Sequence, residues 1–189
     1  MYRPIPVNLT DSDYEAIAQA EAMPIYRRSM TGARGNLVGL VGEVAIRSTL
    51  DAMAIPYQWN GQTTHDLTIC GWTADVKTKR RTVAIPPLAH WTASLPAYNH
   101  DHQRPSTLIF VSASCTGDGT KPRDYGPVYI VGVISMPRFD KVATFRPKGE
   151  VDPDNGMSQW CDTWTMDCGD LAPFDESARW MGFHRIATA

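Results

Sequence analysis

No stretch of this sequence approaches the ~20 consecutive apolar residues that a membrane-crossing helix requires. The opening Met1-Tyr2-Arg3-Pro4 also lacks the apolar centre of a secretory leader. A cytoplasmic protein with no membrane partner is therefore expected. Cysteine is sparse, with four residues at positions 70, 115, 161 and 168 and no Cys-x-x-Cys pair, which argues against a zinc ribbon or a dense disulfide framework. Excess positive charge is missing too: 18 Lys and Arg face 20 Asp and Glu, a net charge of −2. A protein that coats nucleic acid by bulk charge is excluded, so any contact with phosphate must come from local clusters of base. There is no internal repeat and no low-complexity tail.

What is present suits one domain over residues 1–189, since 43% of the chain is hydrophobic and can bury a substantial core. Through Leu67, Ile69, Trp72, Ala74 and Val76 apolar and polar residues alternate with the period of a strand, and Gly71 interrupts the run. The pattern predicts a β-hairpin. With Cys70 and Gly71 as a two-residue loop, Asp66 falls directly across from Asp75, with Cβ atoms roughly 5 Å apart, where two like charges are destabilising unless compensated. A divalent cation would compensate them. Lys77, two residues past Asp75, projects from the same face about 6.6 Å further along. The plain alternative is a solvent-facing surface on which Lys77 is simply the ion-pair partner of the acids.

The preceding segment, Gly35 to Met53, reads as a helix whose apolar residues nearly encircle it, broken only by a narrow stripe of Asn36, Glu43 and Arg47. Such a helix is buried, and a buried carboxylate is costly unless it is paired or bound to metal. Glu43 has two candidate partners, Arg47 one turn on and a cation. Gly39 and Gly42 weaken the helix by about 1 kcal/mol each relative to Ala, which suggests close approach of its backbone to a neighbouring sheet.

A Gly-x-x-Gly-Glu-x-Ala helix, then an Asp, then Asp-x-Lys on a strand hairpin resembles the core of the PD-(D/E)xK nuclease superfamily. The resemblance covers residues 35–80. It implies a restriction-endonuclease-like core in which Glu43, Asp66, Asp75 and Lys77 are catalytic. Glu43, Asp66, Asp75 and the Val76 carbonyl would hold Mg²⁺, with Mn²⁺ able to substitute. One departure is His65, where the pattern often has proline. The activity implied is metal-dependent hydrolysis of DNA phosphodiesters in phage-type processing, recombination, repair or restriction, within the host cytoplasm if phage-encoded, with monomer and homodimer both open. Exonuclease, nicking, junction-resolving and restriction-type activities all stay open. The alternative is a nuclease-like fold that has lost catalysis and binds DNA or a protein.

Basic residues flank this region. Arg27, Arg28 and Arg34 precede the helix, and Lys79, Arg80 and Arg81 follow Lys77, all candidates for DNA-backbone contact. Elsewhere, Thr10 to Ala22 reads as a helix capped by Asp11 or Ser12, with Ser12 and Glu15 as a capping box and Pro24 closing it. Tyr57 to Trp59 reads as a strand, followed by a turn at Asn60-Gly61. Residues 86–106 read as a long irregular loop, either substrate-facing or partially mobile. Thr107–Ala113 and Val128–Ser135 read as buried strands, the stretch from Met136 to Gly156 as a loop, Gln159–Met166 as a late strand, and Asp170–Met181 as a final helix capped by Asp170. The fold class expected is α/β (α+β): a mixed central sheet of about four to five strands flanked by helices.

Overall fold

The computed structural model describes residues 2–21, 32–60, 64–152 and 156–187. Along the chain come β1 (Ile5–Val7), α1 (Asp11–Glu21), α2 (Gly32–Ala52), β2 (Tyr57–Trp59), β3 (Leu67–Ile69) and β4 (Trp72–Arg81). They are followed by β5 (Thr92–Pro96), α3 (Ala97–His102), β6 (Thr107–Cys115), β7 (Tyr125–Ser135), α4 (Met136–Val142), β8 (Thr144–Arg146), β9 (Thr163–Asp167) and α5 (Phe174–Ala187). Six strands form a mixed sheet in the order β1-β7-β6-β4-β3-β2, in which only β4 and β6 run parallel. Three more form a second, antiparallel sheet in the order β5-β9-β8. The mixed sheet and flanking helices are those expected, with six strands in place of four or five.

The hairpin at the centre has the register read from its alternation: Leu67 pairs with Ala74, Thr68 with Thr73 and Ile69 with Trp72. Cys70 and Gly71 both take positive φ, 50° and 92°, which is what the two central residues of a type I′ hairpin turn require. All nine residues of β6 are buried, because both faces of this central strand are covered. On one face Ala74, Val76, Ile109 and Val111 pack against Leu37, Val41, Val44 and Leu50 of α2. On the other, Leu108, Phe110 and Val131 pack against Ala93, Leu95 and Met166 of the second sheet. Alternation along β4 therefore gives Val76 and Thr78 to the α2 side, and Asp75, Lys77, Lys79 and Arg81 to the side of the second sheet. Beyond Ala74, β3 ends, so among the described residues β4 pairs with no strand on that edge from Val76 to Arg81.

Several expectations are corrected. Residues 86–106 are not an irregular loop: they hold β5 and α3, because Ala93 and Leu95 bury alternately while Thr92 to Pro96 pairs with β9. The stretch after Met136 likewise contains α4, anchored by buried Met136 and Phe139, and β8. Asp170 does not cap the last helix, which starts at Phe174. At α1 the cap is Thr10, whose hydroxyl accepts from Asp13 N–H at 3.3 Å while Asp13 Oδ2 accepts from Thr10 N–H at 2.7 Å. The capping box is thus Thr10 with Asp13, not Ser12 with Glu15. Pro24 and Gly61 lie outside the described residues. Among the described residues no helix is long and apolar enough to cross a membrane, and the four cysteines are free thiols.

The close helix–sheet approach expected from glycine occurs at Gly42. A Cβ built there would fall 1.8 Å from Thr78 Oγ1 and 3.0 Å from Thr78 Cβ. Gly42→Ala would gain about 1 kcal/mol of helix propensity but force an overpacking cost of about 1–3 kcal/mol, and the contact to Thr78 Cβ shows that rotation alone does not relieve it. Gly42→Ala is therefore expected to lower stability in urea denaturation, and Gly42→Ala with Thr78→Ala to recover most of the loss. A Gly42→Ala protein at least as stable as wild type would contradict this packing.

Candidate active site

At the mouth of the hairpin, Asp66 precedes β3 and Asp75 lies on β4, the next rung beyond Leu67 and Ala74. Asp66 Oδ2 accepts a hydrogen bond from the Val76 N–H at 2.7 Å. That N–H sits on the unpaired edge of β4, so the side chain supplies the partner that a neighbouring strand would otherwise give. The side chain of Asp75 is only 3% exposed, and its Oδ2 lies 2.6 Å from Lys77 Nζ. The two are close enough to pair as ions, yet they are not aligned as a hydrogen bond, and among the described residues Asp75 Oδ2 has no hydrogen-bond donor. Lys77 Nζ donates instead to Gln103 Oε1 at 3.0 Å. Gln103 follows α3, whose position is set by β5, so the second sheet fixes the far side of this lysine.

Glu43 arrives from α2. Its Oε2 accepts from Trp59 Nε1 at 2.8 Å, while the guanidinium of Arg47 lies 4.7 Å from the centre of the Trp59 ring. Arg47, the side-chain partner expected for Glu43, is therefore not the one it bonds to: the indole stands between acid and base. Burial raises the pKa of the Glu43 carboxyl, the Trp59 hydrogen bond opposes that, and the nearby Asp75 charge adds to it. Asp66 is pushed well above the usual carboxylate range, first by burial and then by the charges of Asp75 and Glu43, with Lys77 opposing. These shifts place Glu43, Asp66, Asp75 and Lys77 in one electrostatic field, with three acids against one ammonium at its centre.

The donor set suits a hard divalent cation, which takes carboxylate and carbonyl oxygens. An excess of negative charge in a desolvated pocket and a buried carboxylate oxygen without a hydrogen-bond donor are both what such an ion would satisfy. Val76 remains available through its carbonyl, its N–H being committed to Asp66. Among the described residues, no three acid, imidazole or thiol side chains are grouped as a ready-made metal cluster; Glu43 would have to leave Trp59 to join the two aspartates.

Of the other residues expected to matter, Lys79 and Arg81 share the face of Lys77 and reach toward the second sheet. Lys79 Nζ donates to the Thr92 hydroxyl at 3.0 Å, and Arg81 Nη2 donates to the Thr92 carbonyl at 3.1 Å. Burial, and then the charge of Arg81, lower the Lys79 pKa to about 8. Arg80 is exposed on the opposite face, near Gly119. Arg27 and Arg28 lie outside the described residues, as does the side chain of Arg34. Two residues that periodicity did not single out, Trp59 and Gln103, hold Glu43 and Lys77. Trp59 was legible as part of a strand, but its bond to the helix depends on tertiary packing. No protein-family model, curated protein or solved structure matches the chain, so the chemistry must be argued from these residues.

Linkage gives the site a measurable signature. A carboxyl whose folded pKa is raised holds a proton that the unfolded chain releases. Its stabilising contribution is complete below the ordinary aspartate value of 3.8 and is lost as pH rises through the higher folded value. In metal-free protein, urea denaturation should therefore show Asp66→Asn more stable than wild type at about pH 8, with the difference shrinking toward about pH 4. Equal stability of the two proteins at about pH 8 would contradict the repulsion.

Proposed function

We propose that the protein is a metal-dependent nuclease that hydrolyses phosphodiester bonds in DNA, with Asp66, Asp75, Lys77 and Glu43 as its active site. The observation that carries this reading is the convergence of the two aspartates across the hairpin turn, with the lysine beside Asp75 and the glutamate approaching from the buried helix. A purely structural site would gain nothing from opposing two desolvated carboxylates, whose repulsion costs stability. Catalytic groups are often held in such costly arrangements.

Asp66 and Asp75, with Glu43 and the Val76 carbonyl, would hold Mg²⁺, or Mn²⁺ in its place. When bound, such an ion lowers the pKa of a coordinated water and offsets charge on the scissile phosphate. The Val76 N–H keeps Asp66 turned into the site. Gln103 accepts a hydrogen bond from Lys77 Nζ while Asp75 Oδ2 lies 2.6 Å from the same nitrogen, so the ammonium is held beside Asp75. There it can position the attacking water and stabilise negative charge as it develops on the phosphate oxygens. Trp59 holds Glu43 on the rim of the site, and its release would complete the set of oxygen donors.

A second reading, a nuclease-like module that binds without cutting, draws on the same bond between Glu43 and Trp59, because that bond keeps the third acid away from the aspartates. The two readings separate in a cleavage assay on labelled linear, single-stranded, circular and branched DNA with Mg²⁺ or Mn²⁺ and with EDTA. Cutting that requires metal, vanishes in Asp75→Ala and falls by about 10²–10³ in Lys77→Ala is the expected result. A Lys77→Ala protein cutting at the wild-type rate would remove Lys77 from the mechanism, and no cutting of any substrate would favour the binding module.

A further inference from the structure

We infer that the cleft running along the free edge of β4 takes a single-stranded segment of DNA, with phosphates at Lys79 and Arg81 and bases against Trp91 and Trp160. The inference rests on the nuclease reading for its choice of ligand and extends that reading to the form of the substrate.

The cleft has a volume of ≈ 950 Å³ and is bounded by β4, by α2 at Val38 and Gly39, and by the second sheet with residues 157–160. It exists because β3 begins only at Leu67, opposite Ala74, which leaves Val76 to Arg81 unpaired on that side among the described residues. Lys77, Lys79 and Arg81 all line it. By strand rise, Lys79 lies about 6.6 Å and Arg81 about 13 Å from Lys77, so the cations form a row leading away from the proposed cutting site.

The row carries more donors than the protein uses. Arg81 donates a hydrogen bond to the Thr92 carbonyl, and among the described residues its buried Nε has no hydrogen-bond acceptor. Lys79 Nζ donates to the carbonyl and hydroxyl of Thr92 and lies in the field of Asp152. Among the described residues one acid, Asp152, lines the same cleft and is buried; Lys77 is already paired with Asp75, so this one carboxylate faces two cations, Lys79 and Arg81. Anionic oxygens from a phosphate backbone supply the missing acceptors.

The form of the DNA follows from where these groups sit. Lys79 and Arg81 are recessed between α2 and the second sheet, so phosphates reach them only if the strand enters the cleft, and a duplex is too wide to do so. Flat apolar surface stands beside the cations. Trp91 lies with its ring centre 4.9 Å from the Arg81 guanidinium, and Trp160 on the cleft lining is 55% exposed. Aromatic faces next to a basic track are how proteins hold unpaired bases without regard to sequence.

The test is equilibrium binding of an eight-nucleotide oligothymidylate and of a blunt duplex of the same length. It is run in EDTA so that cleavage plays no part, with thermal melting of each variant as a check on folding. The oligothymidylate is expected to bind more tightly than the duplex. Trp160→Ala, an exposed position that can change without disturbing the core, should weaken its binding about tenfold. Lys79→Ala and Arg81→Gln should each reduce the slope of log affinity against log salt by about 0.7. Duplex bound as tightly as oligothymidylate, or affinity unchanged in Trp160→Ala, would overturn the inference. Failure of the nuclease reading looks different: single strands bind as described, yet no DNA is cut when metal is added.

Discussion

Two carboxylates pressed together across a tight turn are the constraint on which the rest of this molecule depends. The turn at Cys70-Gly71 allows one register only, because positive φ at both positions matches the twist of the flanking strands. That register places Asp66 beside Asp75, and a slip of one residue would send Asp75 and Lys77 to the opposite face. Burial first, and then the charge of Asp75, raises the pKa of Asp66. It is sustained by the Val76 N–H, by the ammonium of Lys77 and by the cores on the two faces of the sheet.

Each neighbouring element adds one part to the site. α2 lies against β4 closely enough that a methyl group at Gly42 would collide with Thr78, and this proximity brings Glu43 within electrostatic range of Asp75. β2, at the edge of the larger sheet, supplies Trp59 to hold that glutamate. The second sheet carries α3, and through it Gln103, to Lys77. The late start of β3, at Leu67 opposite Ala74, leaves the edge of β4 free, so one short strand accounts both for the pairing of Asp66 with a backbone N–H and for the cleft lined by Lys79 and Arg81.

Much of this was legible in the sequence where the pattern is local. Alternation from Leu67 to Val76 gave the hairpin and its register, and the near-complete apolar girdle of α2 announced a buried helix with Glu43 as its anomaly. What was not legible depends on pairing between distant segments. Thr92 to Pro96 is short, framed by His90, Trp91 and Pro96, and becomes a strand only because β9, some 70 residues later, pairs with it. The same holds for β8. Trp59 and Gln103 are ordinary residues in the sequence, and nothing in their spacing shows that one faces Glu43 and the other Lys77. The Glu43–Arg47 pair expected from helical spacing gave way to an indole from another element, a tertiary contact overriding a local one.

The most direct test of the central claim is a calorimetric titration of Mn²⁺ into wild-type protein, Asp66→Asn and Asp75→Asn at neutral pH, repeated in buffers of different ionisation enthalpy. If Asp66 and Asp75 form a buried cation site in which desolvation and then their repulsion raise the Asp66 pKa, wild type binds the ion with release of protons, and either substitution abolishes or strongly weakens binding. Absence of binding to wild type, or binding unchanged in both variants, would contradict the account.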